Sequence, residues 1–210
     1  MTTSANKPRR GRPPKVAREN YDTKAELIRS GLEQLTECGF ASSGIEPILK
    51  KVGVPKGSFY HYFASKEAFG ESVIAHYDEY FSSKLDMHLL NSDYSPLTRL
   101  LNFADDAVQG MTRHDFKRGC LVGNLSQEVD ALPSGFRTLL SAIFVSWQHR
   151  VETCLNEAKT YGEIASNTDC AVVAEFFWIG WEGAVSRAKL VENAAPLRLF
   201  MTYFLQTLSK

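Results

Sequence analysis

No apolar run in this sequence reaches the roughly 18 residues needed to cross a bilayer, so no membrane partner is expected. The N-terminus carries positive charges without an apolar run behind them, which does not match a secretory leader. Cysteine is scarce: Cys38, Cys120, Cys154 and Cys170 are too few for a disulfide framework and too far apart for a zinc site. That usage suits a reduced, cytoplasmic protein. The five histidines are scattered and form no HExxH pair. A phosphate-cradling glycine loop, a Ser/His/Asp order and a paired-carboxylate motif are also missing. His114 and Cys120 would make a thiol–base pair only if the fold brought them together. An enzyme is therefore the weaker expectation, and neither metal nor cofactor is expected.

Net charge is absent too, with 24 Lys/Arg against 24 Asp/Glu. The balance hides a split. Residues 1–66 hold 12 of the basic residues and 6 of the acidic ones, so a basic head precedes an acidic body. Basic heads attract phosphate backbones. Residues 1–20 are polar, and Lys7, Arg9, Arg10, Arg12 and Lys15 lie among prolines with no acid before Glu19. Such a segment cannot build a core and is expected to be a disordered basic arm. It is either a solvated tail or, beside a DNA-binding unit, an arm whose Arg9, Arg10 and Arg12 enter the minor groove.

What is present is helical periodicity. A capping box at Thr23 and Glu26 predicts the start of a first helix, followed by Leu27, Ile28, Leu32 and Leu35 and closed by Gly39. A second helix is expected over 44–52, a turn at Gly53-Val54-Pro55, and a third helix over 56–63. Ser65 is placed to cap a long fourth helix with Phe69, Val73, Tyr77, Phe81 and Leu85 on one face. Two short helices across a glycine turn read as a helix-turn-helix, whose second helix enters the major groove. Phe59 and Phe63 share a face and are expected in the core. Lys56, Ser58, Tyr60, His61 and Tyr62 are left to donate hydrogen bonds to phosphates or base edges; the plain alternative is a solvated polar face.

Residues 23–70, and above all GVPKGSFYHYFASKEAF at 53–69, resemble the DNA-binding region of TetR-family regulators. The resemblance implies an all-α fold: an N-terminal three-helix helix-turn-helix domain at 21–66, then a larger helical ligand-binding and dimerisation domain at 67–210. It also implies that Tyr60, His61 and Lys66 touch DNA, with Lys66 gripping a phosphate. Pro55 and Gly44 stand where the family often carries a hydroxyl, and no such contact is expected of them. The function implied is a repressor that binds double-stranded palindromic operator DNA as a homodimer and leaves it when a small effector binds. A single recognition helix reads few base pairs, and two held one DNA turn apart, roughly 34–36 Å, read a palindrome.

The second half predicts five further helices and no strand. Ser95-Pro96 opens one with Leu97, Leu101, Ala104, Val108 and Met111; a short apolar stretch begins at Cys120. Pro133-Ser134 precedes a long helix with Leu140, Phe144, Trp147, Val151 and Leu155. Asn167 and Thr168 introduce another with Val172, Phe176, Ile179 and Trp181, and the last runs over 196–208. Gly180, Gly183, Ala184 and Ala188 form a small-residue seam that admits a close helix. With Phe200, Phe204 and Leu208 it fits either a partner subunit, as in TetR-like four-helix bundles, or packing inside one chain. Trp147, Phe177, Trp178 and Trp181 are candidates to line an effector pocket, with Glu182 beside them; aromatics at helical spacing are more often ordinary core. Arg118, Arg150 and Arg187 could each pair a ligand carboxylate, although a plain surface role is the stronger expectation for each. Cys120 follows Lys117-Arg118 and opens a helix, which favours a reactive thiolate; the alternative is a small buried hydrophobe. RGCLVGN at 118–124 is similar to a TetR subgroup that responds to electrophiles and unsaturated carbonyl compounds; taken with the RGRP arm and KKVGVPKGSFYHYF, the resemblance implies acrylate or a related compound as effector. Two other readings stay open: a thiol-based electrophile or redox sensor acting through Cys120, and a DNA-binding protein that senses nothing.

Overall fold

The structure is a computed structural model and describes residues 22–208. Among these residues it is all helical: α1 (Thr23–Cys38), α2 (Ile45–Val52), α3 (Lys56–Tyr62), α4 (Lys66–Leu89), α5 (Pro96–Arg113), α6 (Leu121–Gln127), α7 (Ser134–Thr160), α8 (Cys170–Val191) and α9 (Ala195–Leu208). The basic arm, and Arg9, Arg10 and Arg12 with it, lies outside the described residues.

Local chemistry sets most boundaries in the first half. The cap of α1 is Asp22, not Thr23: its carboxylate accepts the N–H groups of Lys24 (3.0 Å) and Ala25 (3.2 Å). A charged acceptor beside the helix N-terminus also meets the favourable end of the dipole, so it takes the role expected of the neighbouring hydroxyl. Gly53 closes α2 in the left-handed region, φ 71°, and its N–H returns to the Leu49 carbonyl at 2.8 Å. This turn sets α3 against α2. Phe59 and Phe63 are buried as expected, and their rings meet Phe69 of α4 at 5.1 and 4.9 Å. Ser65 caps α4 by accepting the Ala68 N–H.

At 24 residues, α4 is about 36 Å long and belongs to both halves. Its first part packs on α1, while α5 and α7 lie against it further along. Behind it α7, α8 and α9 form the body. The core there is aromatic: Trp147 sits 4.4 Å from Phe81 and 5.1 Å from Trp178, ring to ring, and Phe103 lies 5.6 Å from Trp181.

Three expectations for this half need correction. In α5 Ala104 and Met111 are buried as expected and Leu97 and Val108 pack partly buried against the core, but Leu100 and Phe103 join the buried face and Leu101 is turned outward. In α8, capped by Asp169 rather than by Asn167 or Thr168, only Trp181 of the expected stripe is buried. The core face is Ala174, Phe177, Trp178, Trp181 and Val185, and Val172, Phe176 and Ile179 are half exposed or more. This helix is apolar on two faces, so periodicity cannot say which one turns inward. The small-residue seam also divides. A Cβ at Gly180 would lie 2.3 Å from the Phe200 ring of α9 in the same chain, whereas Gly183 has open space around it. Gly180, Ala184 and Ala188, with Phe204 and Leu208, therefore serve packing within the subunit.

Candidate functional site

On α3 the side chains of Lys56, Tyr60, His61 and Tyr62 are exposed and Ser58 is half-buried. Tyr60 keeps 52% of its surface open although it touches the core edge-on through Phe59. Lys56 lies over its ring, 6.0 Å from the centroid. The α3 surface is thus a row of hydrogen-bond donors carried on a helix anchored from behind by Phe59 and Phe63. Lys66 is placed differently. Its Nζ donates to the Phe40 carbonyl at 2.8 Å and lies 4.4 Å from the centre of the Phe40 ring. Partial burial lowers its pKa, and the charge of Glu128 works against that shift.

A cavity of about 300 Å³ lies where the two halves meet. Leu32 of α1, Tyr77 and Phe81 of α4, Phe103 of α5 and Trp181 of α8 supply its apolar walls, and Cys120 closes one side. Around the mouth stand Arg29, Lys84, Arg113, His114 and Arg118, with Glu33 and Asp106 between them. Several of these cations are already paired. Lys84 meets Asp106 at 2.5 Å, and Arg118 holds Glu37 at 2.8 Å and Glu33 at 3.5 Å. Burial tends to raise the Asp106 pKa, but Lys84 and His88 beside it outweigh that and leave it lowered. Arg113 and His114 are exposed, and among the described residues no carboxylate pairs with either.

Of the side chains expected to line a pocket, Arg118, Cys120 and Trp181 do so here. Trp147, Phe177 and Trp178 do not: all three are packed into the core behind the wall. Trp147 gives its indole N–H to Asp78 at 2.8 Å. Glu182 sits behind Cys120 and faces a second, more open cavity with Gly123, Ser186 and Arg187. Arg150 does not line the cavity; it pairs with Asp86 of α4 at 2.8 Å. Tyr77 and Phe81 were read only as part of the apolar face of the fourth helix, and Phe103, Arg29 and Arg113 were not singled out at all. Nothing in their spacing separates them from ordinary core or surface residues.

Cys120 caps α6, its Sγ accepting the Gly123 N–H at 3.4 Å, and is 6% exposed. Burial pushes its pKa well up and the nearby Glu182 pushes it further, so the thiol stays protonated. The expectation of a thiolate fails because Arg118 is committed to Glu37 and Glu33 and Lys117 is turned to solvent. Burial likewise raises Glu182 to about 7, opposed by a hydrogen bond with Cys120, and its Oε1 has no partner. Tyr77 completes this buried group, its phenol raised by burial and then by Cys120.

The outer face of α8 and α9 is open and apolar. Val172, Phe176, Ile179, Leu190, Leu199 and Tyr203 are each at least half exposed. A continuous patch of this kind on two adjacent helices marks an interaction surface.

Comparison with known proteins agrees along nearly the whole chain. Residues 27–73 match the bacterial regulatory proteins of the tetR family, and residues 96–204 match a tetracyclin repressor-like C-terminal domain. The chain is 49% identical over 198 residues to the transcriptional regulator AcuR of Cereibacter sphaeroides, covering 94% of this chain and 90% of that one. It is 31% identical to the repressor DhaR of a Mycobacterium species, over 87% of this chain and 90% of the other. A crystal structure described as regulatory protein TetR from Rhodobacter sphaeroides superposes with a TM-score of 0.86 at 48% identity, covering 88% and 97% of the two chains.

Proposed function

The chain belongs to the TetR family of bacterial transcriptional regulators, and from that premise we propose that it is a repressor that binds a palindromic operator as a homodimer and is released by a small unsaturated acid. One observation carries this reading: the cavity is walled jointly by α1 of the DNA-binding unit and by α4, α5 and α8. A ligand there touches the recognition unit and the body at once. An effector acts through its different affinity for two shapes, so a site spanning two moving parts is well placed to be one. Rotation of α4, which both halves share, would alter the spacing of the two recognition helices on DNA.

In this reading Lys56, Ser58, Tyr60, His61 and Tyr62 meet the major groove, and Arg9, Arg10 and Arg12 of the arm add minor-groove or phosphate contacts. Lys66 reaches a phosphate only by leaving the Phe40 carbonyl. The exposed α8–α9 face joins the two subunits. A protein that works on chromosomal DNA acts in the cytoplasm.

The effector is acrylate or a related compound. Support comes from the RGCLVGN stretch, from the identity to AcuR, and from a cavity whose apolar walls are joined by the exposed guanidinium of Arg113 and the imidazole of His114. The protonated, buried Cys120 favours noncovalent recognition over thiol addition. The test is operator binding on DNA upstream of the gene, titrated with acrylate, its saturated analogue and larger unsaturated acids. Release by acrylate, retained in Cys120→Ser with no mass adduct on the wild type, is expected. An adduct on Cys120 together with an unresponsive Cys120→Ser protein would replace this reading with a thiol sensor, and DNA binding that no compound alters would remove the effector altogether.

A further inference from the structure

The turn between α1 and α2 is held from outside the DNA-binding unit. Glu128, the residue that closes α6, sends its carboxylate across to it: Oε1 accepts the Phe40 N–H at 3.2 Å and Oε2 the Ala41 N–H at 3.0 Å. Bonds from backbone amides to an ionised acceptor are the stronger kind, and two in parallel fix orientation as well as distance. Gly39 makes room for this group. It has φ +80°, and a Cβ there would fall 2.0 Å from Oε1 of Glu128. Phe40 is gripped further, with its carbonyl taking the Lys66 ammonium at 2.8 Å and its ring lying edge-on to Phe136 of α7 at 5.0 Å. Nearby, Asn124 of α6 and Lys189 of α8 both donate to the Thr36 carbonyl at the end of α1, at 2.8 and 3.0 Å.

The two ends of α6 therefore face different things. Its cap, Cys120, lines the effector cavity, and its closing residue, Glu128, holds the turn that leads into α2 and α3. The helix between them has seven residues and is about 10 Å long, a short rigid rod. A push at one end has little length over which to be absorbed.

We propose that Glu128 is the positioning residue through which α6 reports the state of the cavity to the recognition unit, by gripping the Phe40 and Ala41 amides. The inference rests on the reading of this chain as an effector-released operator binder, and it adds a route distinct from rotation of α4. Coupling is reciprocal: if the cavity speaks to the operator through Glu128, then operator binding must be felt at α6 through the same residue.

Two arms test this on the full-length protein. In the first, operator affinity is measured with and without saturating acrylate for the wild type, Glu128→Gln and Glu128→Ala, with thermal unfolding as a check on folding. The wild type should lose affinity by about 5- to 150-fold, the usual range of coupling, and Glu128→Gln by no more than about twofold. Gln keeps the length of the side chain but loses the charge and one of the two acceptors. Binding of acrylate itself, read by fluorescence of Trp181 and its neighbours, should be unchanged. A merely structural Glu128 would lower the unfolding temperature and leave the ratio of affinities alone.

The second arm needs no effector. Amide exchange over residues 121–127 is followed with and without operator DNA. Exchange in the wild type should change on operator binding, and in Glu128→Gln it should not. Failure of acrylate to release wild-type DNA would count against the proposed effector while this arm still decides on Glu128. Release of Glu128→Gln by acrylate to the wild-type extent overturns the inference. So does an α6 response to operator that is the same in both proteins, or absent from the wild type. Should Glu128→Ala fail to fold, Glu128→Gln carries the test.

Discussion

The DNA-binding unit and the cavity proposed to hold the effector are built on opposite plans. In the first, the side chains proposed to meet DNA come from one short stretch: Lys56, Ser58, Tyr60, His61 and Tyr62 lie on a single seven-residue helix, held from behind by Phe59. In the second, α1, α4, α5, α8 and the segment before α6 each lend one or a few side chains, drawn from residues as far apart as Arg29 and Val185. A surface that reads DNA must project from one rigid element into a groove. A cavity must be enclosed, and only several helices meeting can enclose one. The first plan concentrates dependence on a few anchors; the second spreads it over many contacts.

If that contrast is right, one core truncation should undo the recognition unit. Phe59 is fully buried and meets Phe63 and Phe69. Phe59→Ala should cost about 3–5 kcal/mol and abolish operator binding, since deleting a buried aromatic loses both its transfer energy and the contacts around the void. Denaturant unfolding followed by operator titration checks this. A loss under about 1 kcal/mol would mean that α3 does not depend on this anchor.

The core behind the cavity wall should instead show itself through pH. Burial raises Glu182 to about 7 from an ordinary 4.5, so the folded protein keeps a proton that the unfolded chain releases. The contribution of this group to stability is therefore fully present below about pH 4.5 and lost as pH rises through 7. Glu182→Gln, which stays neutral, should match the wild type in acid and exceed it in stability by a growing margin towards pH 8. A difference in unfolding temperature that is flat between pH 5 and 8 would show that Glu182 is charged or solvated in the folded protein.

The smallest effect is expected from a single cation on the DNA face. Lys56→Ala should weaken binding to all sequences alike and flatten the salt dependence by about one unit, the signature of one lost phosphate contact. An unchanged slope with lost sequence preference would move Lys56 from phosphate to base.

Legibility follows the same division. The turn at Gly53, the buried pair Phe59 and Phe63 and the Ser65 cap were readable because each depends on neighbours within a few residues. Even the misplaced first cap missed by one position, where an aspartate and a threonine compete for the same amides. In the second half the long helices were readable, but not the inward face of α8. Phe176 and Phe177 are adjacent and identical, yet one is half exposed and the other fully buried. Spacing left the Trp147 and Trp178 side chains open between ligand contact and core, and they are core, whereas Arg29, in the first helix of the DNA-binding unit, reaches the cavity.

By itself, then, the sequence determined the helices, the glycine turn, the charge split and the donor-rich recognition helix, because these arise from backbone preferences and spacings along one stretch of chain. Tertiary structure alone decided that Cys120 is buried and protonated, that Lys66 is held by Phe40, and that Glu128 grips a turn 87 and 88 residues before it. A side chain's charge state and partners depend on how much water the fold leaves around it and on which distant groups it meets, and neither is written in local spacing.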